Sequence, residues 1–378
     1  MNSMKILQVG KFYPIRGGVE KVMYDLTLGL SNEEVYCDML CASTEGYPQG
    51  VTQLNDFARL IVVKTQLKLA ATMLAPAMIS TLRRIAKDYD IIHVHHPDPM
   101  AALALYCSGY KGKVIMHWHS DILNQKKLMK LYAPLQSWLI RRADLIVGTT
   151  PVYVKDSTFL RNVQGKCDYV PIGIEPFALQ SDKAEAIKQQ FKGKKIIFSL
   201  GRLVPYKGYE YLVRAAALLT TDVQIVIGGT GPLMDELKAL AEELGVKDKV
   251  TFLGFVSDED VPAYYEACDC FCLSSVWKNE AFAIVQLEAM SLGKPVISTA
   301  IPGSGVSWVN QHLKSGIVVP VADEVALSAG INKLLSNDLL YSELSEGSRA
   351  RYEQLFRREK MVSKTNEIYC KLLLQNNV

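Results

Sequence analysis

The sequence lacks any long apolar run. Its longest uncharged apolar run, residues 69–82, contains Pro76 and is shorter than the roughly 20 apolar residues that a membrane-spanning helix needs. Met1 leads almost directly into the strand-like segment Lys5–Val9, without the hydrophobic core and cleavage site of a secretory leader. We therefore expect a cytoplasmic protein.

An excess of charge of one sign is missing too. The 42 Lys and Arg residues nearly balance 39 Asp and Glu residues, and the formal net charge of +3 argues against a nucleic acid as partner. The total conceals a division, because residues 1–172 carry a net +6 and residues 173–378 a net −3. Either the first half faces something anionic, or the division is compositional chance.

Paired cysteine motifs are absent as well. None of the eight cysteines forms a CxxC pair, although Cys268, Cys270 and Cys272 alternate and would share one face of a strand. A metal site there would need further ligands, and none is suggested nearby. Buried, reduced thiols are the expected outcome.

One α/β pattern occurs twice along the chain. Loops and helical stretches separate short apolar runs, as in parallel sheets wound with helices, and the pattern restarts after a linker at residues 171–176. We predict an α/β fold class of two tandem Rossmann-like, doubly wound domains facing across a cleft, with the ligand at the strand carboxyl ends. The predicted strands are 5–9, 59–63, 91–94, 114–116 and 145–148, then 195–200, 223–227, 250–253, 270–273, 295–298 and 316–319.

The predicted domains span residues 1–172 and 173–355. A final helix is expected from about residue 349 to residue 374, and its last part, residues 356–378, is expected to return to the first domain. A shorter helix is expected at residues 258–267.

Several glycine loops suit phosphate groups. Gly229–Met234 begins like GxGxxG but lacks the third glycine, and no GxxxxGK[ST] run occurs, which disfavours a dinucleotide fingerprint and a P-loop. Arg16-Gly17-Gly18 opens a helix, whose free N–H groups attract anions. The loop Gly201–Gly208 carries Arg202 and Lys207, and two cations suit a diphosphate. The alternative for Arg16–Gly18 is an ordinary tight turn, and the alternative for Gly201–Gly208 is a solvated loop.

Two carboxylates lie eight residues apart, at Glu280 and Glu288. At about 100° per residue they would project to one side of a helix. Glu288 lies among apolar residues, where a carboxylate is costly without partners, and ribose hydroxyls could supply them. Glu280 could accept hydrogen bonds from a sugar. The alternative is a helix cap at Glu280 and a salt bridge at Glu288.

Taken in order, these motifs resemble a known family. The Gly17-Gly18 loop, the linker, the Gly201–Gly208 loop, the Gly229–Pro232 loop and the Glu280-x7-Glu288 pair are similar to those of the retaining family 4 glycosyltransferases of the GT-B fold. The resemblance covers essentially the whole chain and is strongest to the bacterial mannosyltransferase-like branch. It implies an acceptor-binding first domain and a nucleotide-sugar-binding second domain.

The resemblance also implies roles for individual residues. Glu288 would hold the ribose, Glu280 the transferred sugar and His119 the same sugar from the first domain. Arg202 and Lys207 would neutralise the leaving diphosphate. The family often has Gly where Ala283 stands and Asp where Glu175 stands. The implied catalytic residues are His119, Glu280, Arg202 and Lys207, and the implied donor-binding residues are Gly17, Gly18, Arg202, Lys207, Gly229, Gly231, Glu280, Ala281, Phe282, Ala283, Ile284 and Glu288.

No metal or other cofactor is expected. Asp258-Glu259-Asp260 has the spelling of a DxD metal motif, but it opens a predicted helix, where acidic residues are favoured as caps. His93-Val94-His95-His96 could begin a zinc site, yet no acid or thiol completes it. His117 and His119 should share one strand face, with Trp118 opposite. Asp121 is a candidate for orienting the acceptor hydroxyl.

A basic, apolar segment at residues 125–142 is typical of a membrane-surface contact. We expect docking on the anionic inner leaflet of the plasma membrane, with Leu67–Arg84 as a second candidate surface. An ordinary core-packed helix with a solvated basic face is the alternative. The candidate acceptor or membrane residues are Arg16, Asp121, Lys126, Lys127, Lys130, Arg141 and Arg142.

The expected reaction is transfer of a hexose, with mannose from GDP-mannose favoured, to a lipid-linked or oligosaccharide acceptor in bacterial surface-polysaccharide synthesis. Donor and acceptor are the expected partners, and retention follows from the resemblance. The alternatives are a UDP-sugar-dependent glucosyl-, galactosyl- or N-acetylhexosaminyltransferase, a sugar-nucleotide epimerase or hydrolase of the same fold, and a non-catalytic nucleotide-sugar binder.

Overall fold

The computed structural model describes residues 4–15, 18–44, 46–69, 72–122 and 126–374. The chain divides into two compact units. The first comprises the described residues up to Gly173 together with those from Arg358 onward, and the second is Ile174–Arg357. Both are built on sheets of mainly parallel strands, so the predicted α/β fold class is confirmed.

The first unit contains a sheet of eight described strands in the order β10-β9-β8-β7-β1-β2-β4-β3, parallel except for the β3–β4 pair. A separate hairpin pairs β5 with β6. The strands are β1 (Lys5–Tyr13), β2 (Tyr36–Ser43), β3 (Gly50–Asn55), β4 (Ala58–Val63), β5 (Leu67–Leu69), β6 (Thr72–Leu74), β7 (Ile91–His96), β8 (Lys113–Trp118), β9 (Leu145–Gly148) and β10 (Cys167–Tyr169). The helices are α1 (Gly18–Asn32), α2 (Pro76–Ile85), α3 (Pro99–Ser108), α4 (Lys126–Arg142), α5 (Pro151–Asp156) and, from the end of the chain, α14 (Arg358–Leu374).

The centre of the first unit combines apolar packing with buried polar side chains. Strands β1, β7 and β8 are buried along most of their length, as parallel strands covered by helices are. Among their apolar residues they bury Gln8 and several histidines. Buried polar groups need hydrogen-bond partners, and α14, which lies against α1, supplies one of them.

The second unit contains six described strands in the order β13-β12-β11-β14-β15-β16, all parallel. The strands are β11 (Lys195–Leu200), β12 (Val223–Gly228), β13 (Val250–Gly254), β14 (Cys270–Leu273), β15 (Val296–Thr299) and β16 (Gly316–Val319). The helices are α6 (Ser181–Gln190), α7 (Tyr209–Ala216), α8 (Met234–Glu243), α9 (Val261–Ala267), α10 (Ile284–Ser291), α11 (Val306–Val309), α12 (Glu324–Leu335) and α13 (Asp338–Arg351). Cys270 and Cys272 pack in its apolar core as free thiols, as expected.

Three predicted elements were wrong. The final helix is not continuous, because α13 passes into a π-helical turn at Tyr352–Phe356 and Arg357 is extended before α14 begins. Leu67–Arg84 is a hairpin followed by α2 rather than one amphipathic segment. Helix α9 begins at Val261 rather than at residue 258. Strands β2, β3, β5, β6 and β10 were not predicted. Within the described residues, no helix combines the length and apolar character needed to cross a bilayer.

Candidate active site

A buried ion pair occupies the loop after β11. Lys207 lies in a single 3-10 turn at Pro205–Lys207, and its Nζ is 2.5 Å from Oε2 of Glu280. The hydroxyl of Ser275 donates to the same carboxylate oxygen at 2.9 Å. The two charged side chains are only 10% and 11% exposed. The Gly201–Gly208 loop and Glu280, which were identified as separate motifs in the sequence, are therefore in contact.

Arg202 in the same loop is placed differently. Its side chain is exposed, and its Nη2 donates to the Tyr206 hydroxyl at a long 3.4 Å. Among the described residues Arg202 makes no salt bridge within 4.0 Å, so its guanidinium can bind an anion from solution without first losing a carboxylate partner.

Gly229 and Gly231 are explained by close packing of two loops. A β-carbon on Gly229 would lie 1.9 Å from the carbonyl oxygen of Gly201, and one on Gly231 would lie 2.3 Å from that of Leu203. The backbone N–H of Leu203 donates to the carbonyl of Thr230 at 2.9 Å. These glycines thus fix the position of the cationic loop, and their contact with a donor stays a prediction.

The segment from Glu280 to Ala283 is not helical, which corrects the angular argument for the two carboxylates. Helix α10 starts at Ile284, and Glu280 lies outside it. Ala283 adopts a left-handed backbone with φ +64°, a conformation that favours glycine. The conformation accounts for a preference for glycine at this position and leaves the alanine of this chain strained. Ala281 and Phe282 complete the turn, and the Ala281 carbonyl accepts from the N–H of Gly305 at 2.9 Å.

Glu288 is half-buried inside α10 and has one fixed oxygen. The Tyr265 hydroxyl lies 2.7 Å from Oε2 of Glu288 and 3.1 Å from the Val285 carbonyl. Burial raises the pKa of Glu288, and the hydrogen bond with Tyr265 opposes that rise. Oε1 of Glu288 has no hydrogen bond among the described residues, which leaves it available to a ligand hydroxyl.

In the first unit, His119 follows β8 and belongs to a stack of buried imidazoles. The His117 and His119 rings lie 4.0 Å apart and 8° from parallel, while Trp118 stacks on His96 across the strand, as alternation predicts. Nε2 of His119 lies 2.9 Å from Nδ1 of His95. Burial lowers the pKa of His117 to about 3 and holds the pKa of His119 well below its usual value.

The one group with metal-binding proximity among the described residues is His93, His95 and His117, whose nitrogen atoms lie within 4.8 Å of one another. Their rings are nearly parallel, with interplanar angles of 13° to 23°. Imidazole lone pairs lie in the ring plane, so those of stacked rings run side by side rather than converge on one ion. The arrangement therefore fits a tetrahedral ion poorly.

Asp258-Glu259-Asp260 does not act as the predicted cap. The carboxylate of Asp260 makes no capping bond to α9, and instead accepts from Lys183 Nζ at 2.6 Å and from the Ser257 hydroxyl at 2.8 Å. The start of the helix is held by the Ser257 carbonyl, which accepts from the N–H groups of Asp260 and Val261.

The candidate acceptor and membrane residues divide into three groups. Asp121 is buried, and its Oδ1 accepts from the Trp118 indole at 2.9 Å and the Ser157 hydroxyl at 2.8 Å. On α4, Lys130 and Arg141 are exposed, whereas Arg142 donates to the carbonyls of Tyr110 and Gly112 and pairs with Asp144. Arg16 and Gly17 lie outside the described residues, as do the side chains of Lys126 and Lys127; Gly18 begins α1.

Sequence reasoning missed several partners of these residues. Tyr265 and Ser275 gave no signal, because hydroxyl side chains are common in such segments. Gln8 did give one, since it is a polar residue that interrupts the apolar run Ile6–Val9 of β1. Tyr369 lies on α14, and its contacts with Gln8 and His93 span most of the chain.

Comparison with known proteins establishes the family. The chain matches the family models "Glycosyltransferase Family 4" over residues 16–176 and "Glycosyl transferases group 1" over residues 180–351. It is 32% identical to O-antigen chain mannosyltransferase C of Escherichia coli, over 98% of this chain and 99% of that protein. It is 31% identical to D-rhamnosyltransferase WbpZ of Pseudomonas aeruginosa, over 93% and 92%. The structure of Anabaena HepE in complex with UDP has a similar fold, with a TM-score of 0.76 at 20% identity over 97% and 100% of the two chains.

The chain therefore belongs to the family 4 glycosyltransferases, which have the GT-B fold, and it is a glycosyltransferase.

Proposed function

We propose that this glycosyltransferase transfers mannose from GDP-mannose to a lipid-linked or oligosaccharide acceptor in the synthesis of a bacterial surface polysaccharide such as O-antigen, capsule or exopolysaccharide. Full-length similarity to the E. coli O-antigen chain mannosyltransferase supports both the sugar and the process. Similarity to a D-rhamnosyltransferase and a fold shared with a UDP complex support other donors as alternatives.

The buried Lys207–Glu280 pair is the observation that carries the proposed chemistry. Transfer breaks the bond between the sugar C1 and the diphosphate, and the barrier falls when the leaving charge is stabilised. A diphosphate would give Lys207 a second anionic partner, with Arg202 free to bind the same group. We infer retention without a metal ion, with Glu280 contacting the transferred sugar, Glu288 binding the ribose through Oε1 and His119 contacting the sugar.

A donor panel tests this proposal. Purified protein is incubated with a lipid-linked acceptor and GDP-mannose, UDP-glucose, UDP-galactose or UDP-N-acetylglucosamine, with and without a chelator. We expect chelator-resistant transfer from GDP-mannose with retained anomeric configuration by NMR. If a UDP-sugar supports transfer and GDP-mannose does not, that UDP-sugar replaces GDP-mannose as the proposed donor. Rapid formation of an epimer or free sugar without acceptor would favour the epimerase or hydrolase alternative.

Substitution of the ion pair tests the site itself. Lys207→Met and Glu280→Gln should each lower kcat about 10²–10³-fold, the usual cost of removing one charge-stabilising group. The matched control is Lys247→Met, because Lys247 pairs with Glu242 at 2.6 Å on the surface of the same unit. Unchanged turnover in both site variants would show that the active site was assigned wrongly.

We also propose that α4 contacts an anionic membrane surface. The exposed Lys130 and Arg141 and the 81% exposed Leu131 support this, whereas Arg142 is held by backbone carbonyls. In vesicle flotation, recovery of the protein with anionic vesicles should exceed its recovery with neutral ones. Recovery with anionic vesicles should fall in the double variant Lys130→Glu/Arg141→Glu. Lys111→Glu, which changes an exposed lysine outside α4, serves as the control. Equal recovery with both vesicle types would refute the contact.

A further inference from the structure

A chain of hydrogen bonds runs through the buried centre of the first unit. Nε2 of His119 lies 2.9 Å from Nδ1 of His95, and Nε2 of His95 lies 2.8 Å from Oε1 of Gln8. Nε2 of Gln8 donates to the Tyr369 hydroxyl at 2.9 Å, and that hydroxyl lies 2.6 Å from Nδ1 of His93. All five side chains are buried. The chain thus connects the end of β8 with α14.

The amide of Gln8 sets the direction of every proton in this chain. An amide oxygen only accepts, so the proton between Gln8 and His95 belongs to Nε2 of His95. A neutral imidazole carries one N–H, and burial keeps both imidazoles neutral by lowering their pKa values. Nδ1 of His95 is therefore an acceptor, and the proton that it shares with His119 belongs to Nε2 of His119.

In the orientation that the structure gives, the amide has a second contact. Nε2 of Gln8 also lies 3.7 Å from the sulfur of Cys37, a weak acceptor, so both amide hydrogens have partners. With the opposite orientation every proton would reverse, and Nδ1 of His119 would become a donor. The two orientations therefore predict opposite chemistry at Nδ1 of His119.

At the β8 end of these hydrogen bonds, Nδ1 of His119 is buried and has no hydrogen-bond partner among the described residues; at the other end the same holds for Nε2 of His93. A buried nitrogen without a partner costs free energy that a ligand hydroxyl would recover. We propose that Gln8, His95 and Tyr369 are positioning residues that hold His119 as the Nε2–H tautomer, so that its Nδ1 accepts a hydrogen bond from a hydroxyl of the sugar substrate. The contact with a sugar hydroxyl rests on the proposed function, whereas the tautomer of His119 does not.

The tautomer is measured first, in the free wild-type protein. Nitrogen-15 labelling of histidine gives long-range imidazole spectra from the six histidines, and His119→Asn and His95→Asn assign the two of interest. We expect a protonated Nε2 and an unprotonated Nδ1 in both. An Nδ1–H signal from His119 would overturn the proposal. This measurement needs no substrate, so it stands even if every donor in the panel fails.

Variants then connect the tautomer with transfer. Gln8→Leu removes the acceptor of His95, so His119 should populate both tautomers. We expect kcat/KM to fall about 10-fold, the lower end of the cost of losing a partner that orients a metal-bound histidine. Tyr369→Phe should give a smaller change in the same direction. Gln8→Glu keeps an oxygen that accepts from Nε2 of His95, so His119 should remain the Nε2–H tautomer in this variant.

Thr365→Val is the matched control, because it removes a buried hydrogen bond on α14 that does not belong to the series linking His119 with His93. It should change neither the spectrum nor kcat/KM. Lost transfer with an unchanged His119 spectrum in Gln8→Leu would show a merely structural role. A changed spectrum with unchanged transfer would show that the tautomer does not serve the reaction.

Discussion

Ala283 stands where the backbone turns into α10, with φ +64° and ψ 79°. A residue with a β-carbon pays about 1–2 kcal/mol for a left-handed conformation. The turn lies between the carboxylate paired with Lys207 and the helix that carries Glu288, so its geometry relates the two carboxylates. The strain at one residue is thus located within the proposed donor pocket.

Replacing this alanine with glycine should stabilise the protein. Ala283→Gly removes the left-handed penalty but adds conformational entropy to the unfolded chain, so the expected net gain is about 0.5–1 kcal/mol. Thermal unfolding measures it. Ala289→Gly, in the regular part of α10, is the control and should lose about 1 kcal/mol. Destabilisation by both variants would contradict the strain at Ala283.

Single residues also show what the sequence could predict about the site. Lys207 and Glu280 were each recognisable from their motifs, but their 2.5 Å contact joins positions 73 residues apart and depends on how two loops pack. The link between Glu288 and Tyr265 is of the same kind. Motifs reveal the chemistry of a site, whereas the pairing of its groups is decided by tertiary packing.

At the scale of elements, the most apolar strands were the most predictable. Strands β11 and β12 are largely apolar and buried, as expected where both sheet faces are covered. Strand β2 was missed since its sequence mixes polar and sulfur-containing residues, and β3 is an exposed edge strand. The break at Arg357 has neither proline nor glycine, so nothing in the local pattern indicated that α13 and α14 are separate helices.

The contact between α1 and α14 can be tested by a double-mutant cycle. A β-carbon on Gly29 would lie 2.3 Å from Cγ2 of Val362, so Gly29→Ala should destabilise by about 1–2 kcal/mol despite the better helix propensity of alanine. Val362→Ala makes room for it. The loss of unfolding free energy in the double variant should therefore be about 1 kcal/mol smaller than the sum of the losses in the two single variants. Strict additivity would show that the helices do not meet there.

At the scale of the whole molecule, a group of buried histidines should make the stability of the fold sensitive to acid, although the net charge is near zero. Five of the six histidines are buried in the first unit. Burial lowers the pKa of His93, His95, His96 and His119 well below the usual value and lowers that of His117 to about 3. The folded protein therefore keeps these imidazoles neutral at pH values where the unfolded chain protonates them.

Stability should consequently fall as the pH drops below about 6.5, the ordinary histidine pKa. In that range the unfolded state binds more protons, and each buried histidine adds a slope of about 1.4 kcal/mol per pH unit. His117 has no hydrogen bond from either nitrogen among the described residues, so His117→Leu should remove one such slope while leaving stability at neutral pH equal or higher. Urea unfolding across this pH range measures the slope. Met116→Leu, on the same strand, should shift stability equally at every pH, and an acid limb as steep in His117→Leu as in wild type would mean that His117 does not stay neutral in the fold.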